Sequence, residues 1–318
     1  MALSFFLSSL TVISVLGYTQ AGAIPHVIER EVCKFDARDF NTDSQEMIAR
    51  QAPSDSSQLP KTWDPPAELV APLKQVWDRE LKSFSRSLRF KNFGFDQVIA
   101  GEGKINYCVR WDTNNTASPE DRQKTEVAIQ RSFKKWMDVL AGFDGWPYDT
   151  VDVKVVGWAV KNKRLLSGDT SDVDVYTNTD SGGTAECDPR CGRFFNRDGE
   201  YSQCPGGAAR HYDQSLWLSD GMDGSGAGGH WGQRVGQGYF MKTIDDDSIH
   251  IVLHEIGHTF ALDGKSLSSL LLNDFYDWKP TGITKFIMNA GASMVITDFD
   301  RWMLRDWWRN LNAARYKF

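Results

Sequence analysis

Basic clusters are missing from this 318-residue chain, and the absence excludes the partners that need them. Lysine and arginine number 36 against 42 aspartates and glutamates, a formal net charge of −6 with a pI near 5.6. Without a run of positive charge there is no electrostatic footprint for nucleic acid or for an anionic membrane surface. Long hydrophobic runs are scarce too: after residue 23 no stretch is long enough to span a bilayer. No internal repeat is visible, which argues against a solenoid or propeller. Two further absences matter later. No histidine follows His258, and no glutamate follows Glu255.

What is present is a globular composition, 41% hydrophobic with 12% aromatic residues, ample for a packed core. The first 23 residues carry no charge, hold a short serine-interrupted apolar run and end in Ala21-Gly22-Ala23, so residues 1–23 read as a signal peptide and the mature protein as secreted. In an oxidising compartment, Cys108, Cys187, Cys191 and Cys204 are expected to form two disulfides, in any of three connectivities, with Cys33 left over. A structural zinc site built from Cys187, Cys191, Cys204 and His211 is the rival reading. Asn114-Asn115-Thr116 is an acceptor triplet for N-glycosylation at Asn114.

Residues 24–66 are polar and weakly patterned, and their Pro- and Ser-rich end suits a propeptide or flexible lead-in. A single domain is expected over 67–318. A helix is predicted from Pro72, with Leu73, Val76, Trp77, Leu81 and Phe84 at helical spacing. "KINYCVRWD" reads as a strand. A long helix follows, with Ser118 as N-cap, Pro119 at the first helical position and Asp121 completing a capping box. "VDVKVVGWAV", "DVDVYTN" and "SLWLSDG" read as strands, the last bordering a cleft as an edge strand, and "DGMDGSGAGGHWGQRVGQG" as a Gly-rich loop. A helix from about 247 to 261 and a C-terminal helix capped by Thr297 and Asp300 complete an α+β (α/β) domain.

The chemistry concentrates in "HEIGH". His254 and His258 are four apart on a helix, so both imidazoles project from one face and can take the same ion, while Glu255 can reach a water on that ion as general base. A zinc-activated water attacking a peptide carbonyl is the reaction this spacing serves. A zinc site needs a third ligand. His250 is too far along the helix axis from His258 for one ion to hold all three histidines, because eight residues rise about 12 Å. His211 and His230 are remote, so the donors are sought among Asp263, Asp274 and Asp277.

The region resembles the metzincin metalloproteases, whose motif H-E-x-x-H-x-x-G-x-x-H/D matches at His254, Glu255 and His258. The family glycine falls on Ala261 and the last ligand on Gly264. More closely, it resembles a group of secreted metzincin-like fungal and bacterial proteins in which "HEIGHTFALD" runs directly into "DFYDW". Removing residues 264–273, read either as an inserted loop or as unspliced intron, restores that junction and puts Asp274 at the third-ligand position, with Asp263 as the alternative. The resemblance implies a twisted, mostly parallel sheet with a long helix, a metal helix and a C-terminal helix. It also implies Met288 in a methionine turn beneath the metal, and a monomeric zinc endopeptidase acting on protein or peptide. A propeptide thiolate at Cys33 is a further implication, although "EVCKFDARDF" lacks the usual switch motif and an unpaired or intermolecular thiol is the plainer reading. The alternative function is a non-catalytic polysaccharide- or wall-binding protein, or an effector, on the same scaffold, prompted by 12 tryptophans.

Overall fold

"KINYCVRWD" becomes the strand around which the molecule is organised. The computed structural model describes residues 33–35, 60–83, 85–222, 224–262 and 278–318. The signal-peptide segment, most of the lead-in, and the segment carrying Asp263, Asp274 and Asp277 lie outside the described residues. The strands run β1 (Cys33–Lys34), β2 (Lys104–Asp112), β3 (Asp152–Val160), β4 (Asp174–Tyr176), β5 (Asn178–Thr179), β6 (Ala185–Glu186), β7 (Gln214–Ser219), β8 (Ser225–Gly229) and β9 (Gly232–Gly236). The helices are α1 (Ala67–Ser83), α2 (Gly94–Ala100), α3 (Pro119–Leu140), α4 (Gln237–Thr243), α5 (His250–Thr259) and α6 (Asp298–Leu311).

Seven strands form one sheet in the order β1-β8-β9-β7-β2-β3-β4, parallel from β9 through β4 and antiparallel where β8 meets β9 and β1 meets β8. The mixed α/β architecture with a mostly parallel sheet agrees with the sequence reading. Central strands in such a sheet are covered on both faces and read as apolar runs, which is why Ile105, Tyr107, Val109 and Trp111 are all buried in β2. Two expectations are corrected. "SLWLSDG" is β7, an inner strand between β9 and β2, and the sheet edge near the metal motif is β1, which lies on β8. The Gly-rich loop is in fact a β8–β9 hairpin: its alternation is hidden because the small residues are backbone in a tightly covered strand, with no apolar side chains to reveal the period.

The long helix α3 begins as predicted, with Ser118 Oγ accepting from Asp121 N and the Asp121 carboxylate accepting from Ser118 N. It lies over β3 and against α5 and α6. Helix α1 starts earlier than predicted, at Ala67, and carries Pro72 in its interior. Residues 33–35 are not a detached lead-in, since Phe35 is buried in the same apolar core as α1, α3 and α6.

On the opposite face of β2 and β3, a second small core gathers Cys108, Val156, Ala159, Ala185 and Tyr212. Of two disulfides, Cys108–Cys187 staples the irregular 174–213 region to β2 and Cys191–Cys204 closes a loop within that region. This pairing replaces the rival zinc reading of those cysteines. His211 instead stacks on Tyr201 and lies 3.6 Å from Asp213. No helix among the described residues is long and apolar enough to cross a membrane.

Candidate metal centre

Every residue of α5 is buried, so the helix is held by its neighbours on all sides. From α3, Trp136 Nε1 donates to the Leu253 carbonyl at 2.9 Å. From the sheet, Gln233 donates to Thr259 Oγ1 at 2.8 Å, and Thr259 in turn donates to the Gly229 carbonyl at 3.0 Å. Gln233 is bound to Gln214, which accepts from the Tyr107 hydroxyl, so a satisfied buried network ties the end of α5 to β2, β7, β8 and β9. Such networks fix one register where apolar packing alone would tolerate sliding.

Glycine sets how closely α5 approaches its supports. A Cβ on Gly257 would collide with Met288 Sδ, and Cβ atoms on Gly226 and Gly228 of β8 would collide with the Glu255 carboxylate and main chain. Met288 is fully buried, with its sulfur against Gly257 of α5. The helix ends with Ala261 at φ +60°, the left-handed conformation that glycine adopts most readily.

On this scaffold the motif side chains converge. His254 Nε2 and His258 Nε2 are 3.0 Å apart, and the Glu255 carboxylate lies 3.9 Å from His258 Nε2. His254 Nδ1 is 2.6 Å from the Ile287 carbonyl, which makes Nδ1 the protonated nitrogen and leaves the Nε2 lone pair for a metal. His250, one turn earlier, is fully buried, and burial with His254 beside it pushes its pKa down to about 3, so it stays neutral. It is not part of the ligand cluster.

The fourth member comes from the far end of the chain. Strand β1 lies antiparallel on β8 with Cys33 opposite Gly226 and Lys34 opposite Ser225, and Phe35 N donates to the Gly224 carbonyl. Phe35 packs edge-on against His250 and His254, with ring centroids at 4.8 and 5.2 Å. This seats Cys33 Sγ 3.6 Å from His258 Nε2. Cys33 is in neither disulfide, and its sulfur lies beside the histidine pair. One ligand atom each from Cys33, His254, Glu255 and His258 all lie within 4.8 Å of one another, and this cluster can hold a metal ion.

The donor set fits zinc. Bonds of about 2.3 Å to sulfur and about 2.05 Å to nitrogen at a tetrahedral angle separate those two ligand atoms by roughly 3.6 Å, and two nitrogens by roughly 3.3 Å. The observed separations are 3.6 and 3.0 Å.

His230 lies elsewhere, stacked on Phe194 and bound to Asn92, with burial holding its pKa down at about 4. Asn114 is exposed in the turn after β2, accessible as a glycosylation acceptor must be. No local signal could have found Cys33, 225 residues from its neighbour. The alternating glycines of "SGAGG" were a usable sign of a strand pressed against another backbone. No family model, no curated protein and no solved structure matches this chain.

Proposed function

We propose that the chain is a secreted, zinc-dependent endopeptidase of metzincin type. The observation that carries the reading is the convergence of His254 and His258 Nε2 with the Glu255 carboxylate beside them, on a buried helix seated on Met288. His254 and His258 hold the ion. When bound, zinc supplies Lewis acidity, lowering the pKa of water at the ion to about 7 and polarising the scissile carbonyl. Glu255 takes the proton of the attacking water and hands it to the leaving amine. An extended peptide substrate adds to the edge of β8, where β1 lies in the intact chain, its main chain hydrogen-bonded to the strand.

Cys33 gives this reading a resting state. In the intact chain its sulfur takes the side of the histidine pair that substrate and water must approach, so displacement of residues 33–35 precedes catalysis. The two disulfides and the expected signal segment support an extracellular setting. Asp274 or Asp263 takes the third-ligand place once Cys33 has left.

The non-catalytic alternative, a polysaccharide-binding module, needs aromatic platforms at the surface. None of the twelve tryptophans is exposed. Glu255→Gln separates the two readings: zinc content unchanged with chelator-sensitive casein cleavage lost by about 10²–10⁴-fold supports the peptidase, whereas wild-type retention on insoluble glucan with no cleavage by either form supports the module.

A further inference from the structure

Among the described residues, two helices open on a Ser or Thr capping box, and the two boxes are not equivalent. In α3, the Asp121 carboxylate accepts only from Ser118, through its main-chain N–H and its hydroxyl. In α6, Asp300 does the same for Thr297, at 2.8 Å from the main-chain nitrogen and 2.6 Å from the hydroxyl. It also takes two donors from a segment twelve and thirteen residues upstream, with Oδ2 accepting from Ile287 N at 2.9 Å and Oδ1 from Met288 N at 3.2 Å. Asp300 is fully buried while Asp121 is half-buried. Capping α6 does not call for this extra pair of bonds.

The Ile287–Met288 peptide group faces two ways. Its N–H donates to Asp300 Oδ1, and its carbonyl is the oxygen 2.6 Å from His254 Nδ1. A carboxylate, a single peptide plane and a histidine thus stand in line. A carboxylate on an amide N–H polarises the amide and strengthens its carbonyl as an acceptor. That carbonyl selects the His254 tautomer and fixes the ring's orientation. Burial pushes the Asp300 carboxyl up, and the four hydrogen bonds pull it back toward the ionised form.

We propose that Asp300 is a positioning residue for the metal centre, acting on His254 through the Ile287–Met288 peptide to hold Nδ1 protonated and Nε2 aimed at the ion. The inference rests on the metal reading of the site, but its first observable does not need a metal.

The test uses the full chain. In ¹⁵N-histidine spectra of the metal-free protein, His254 is expected as a single Nδ1–H tautomer, with the Met288 amide protected from exchange. Asp300→Asn places a donor group where two N–H groups need acceptors. It should give mixed His254 tautomers and weaken zinc binding, measured by chelator competition, by about 10- to 100-fold. Thr297→Val removes the capping hydroxyl but leaves the carboxylate on the peptide, so it should lower the melting temperature and leave zinc affinity within about twofold. A single Nδ1–H tautomer and wild-type affinity in Asp300→Asn overturn the proposal, as does an equal loss of affinity in Thr297→Val. If Asp300→Asn does not fold, the unaltered chain still decides: an Nε2–H His254 or a freely exchanging Met288 amide overturns it. Absence of zinc binding by the unaltered chain, with the Nδ1–H tautomer present and lost in Asp300→Asn, sinks the metal reading and leaves the positioning role standing.

Discussion

Cys33 and His258, 225 residues apart in sequence, bring Sγ and Nε2 to 3.6 Å. A thiol in that place is close enough to ligate an ion held by the histidines, and a ligated thiolate is shielded from alkylation. Alkylation of the intact, zinc-loaded chain by iodoacetamide should be slow at Cys33 and should speed up by about tenfold or more on adding a chelator. The Cys33→Ser chain should cleave casein faster than the unaltered intact chain. Equal alkylation rates with and without zinc contradict the contact, and equal activities contradict the resting state.

Gly226 and Gly228 make room for Glu255. Adding a Cβ at Gly226 drives the carboxylate or the helix aside, and a shift of about 1 Å at a reacting group costs on the order of 10²-fold in rate. Gly226→Ala should therefore lose kcat about 10²-fold while zinc affinity changes little, because His254 is held from the other side by the Ile287 carbonyl. Zinc affinity falling in step with kcat would show that the whole helix has moved and the carboxylate notch is not specific.

Ala261 sits at φ +60° at the end of the metal helix. The left-handed region costs a non-glycine residue roughly 1–2 kcal/mol, part of which is offset by the greater chain entropy glycine loses on folding. Ala261→Gly should stabilise the protein by up to about 1 kcal/mol, read as a rise of a few degrees in thermal melting. A fall in Tm would show that the alanine methyl, which is buried, contributes more than the backbone conformation costs.

Disulfides Cys108–Cys187 and Cys191–Cys204 span 79 and 13 residues. Loop-closure entropy predicts stabilisation of about 4.5 kcal/mol for the first and about 3 kcal/mol for the second. Removing the first by a double Cys→Ala change should lower Tm more than removing the second. The reverse order would place the stabilisation in local packing of the 174–213 region.

Local pattern carried far in this chain. Both capping boxes, at Ser118/Asp121 and Thr297/Asp300, the strand at 104–112 and the metal helix were readable because each is specified by residues within one or two turns. The Met288 expectation came only from the family resemblance; the structure sets its sulfur against Gly257. What sequence could not show are relationships made by the sheet: that β7 is an inner strand, that the glycine run is a strand next to the edge, and that residues 33–35 return to pair with it as the edge strand. Strand order depends on pairings between distant segments, which leave no periodic trace. The second task of Asp300 was hidden for the same reason, since its capping role already accounts for it in sequence.

The central claim is a metal centre built on His254 and His258, and the most direct measurement is the metal content of the purified full chain by elemental mass spectrometry. About one zinc per chain is expected, lost when both histidines are changed to alanine and retained in Cys33→Ser. A folded chain that takes up no zinc when it is offered, or that keeps its zinc without His254 and His258, would contradict it.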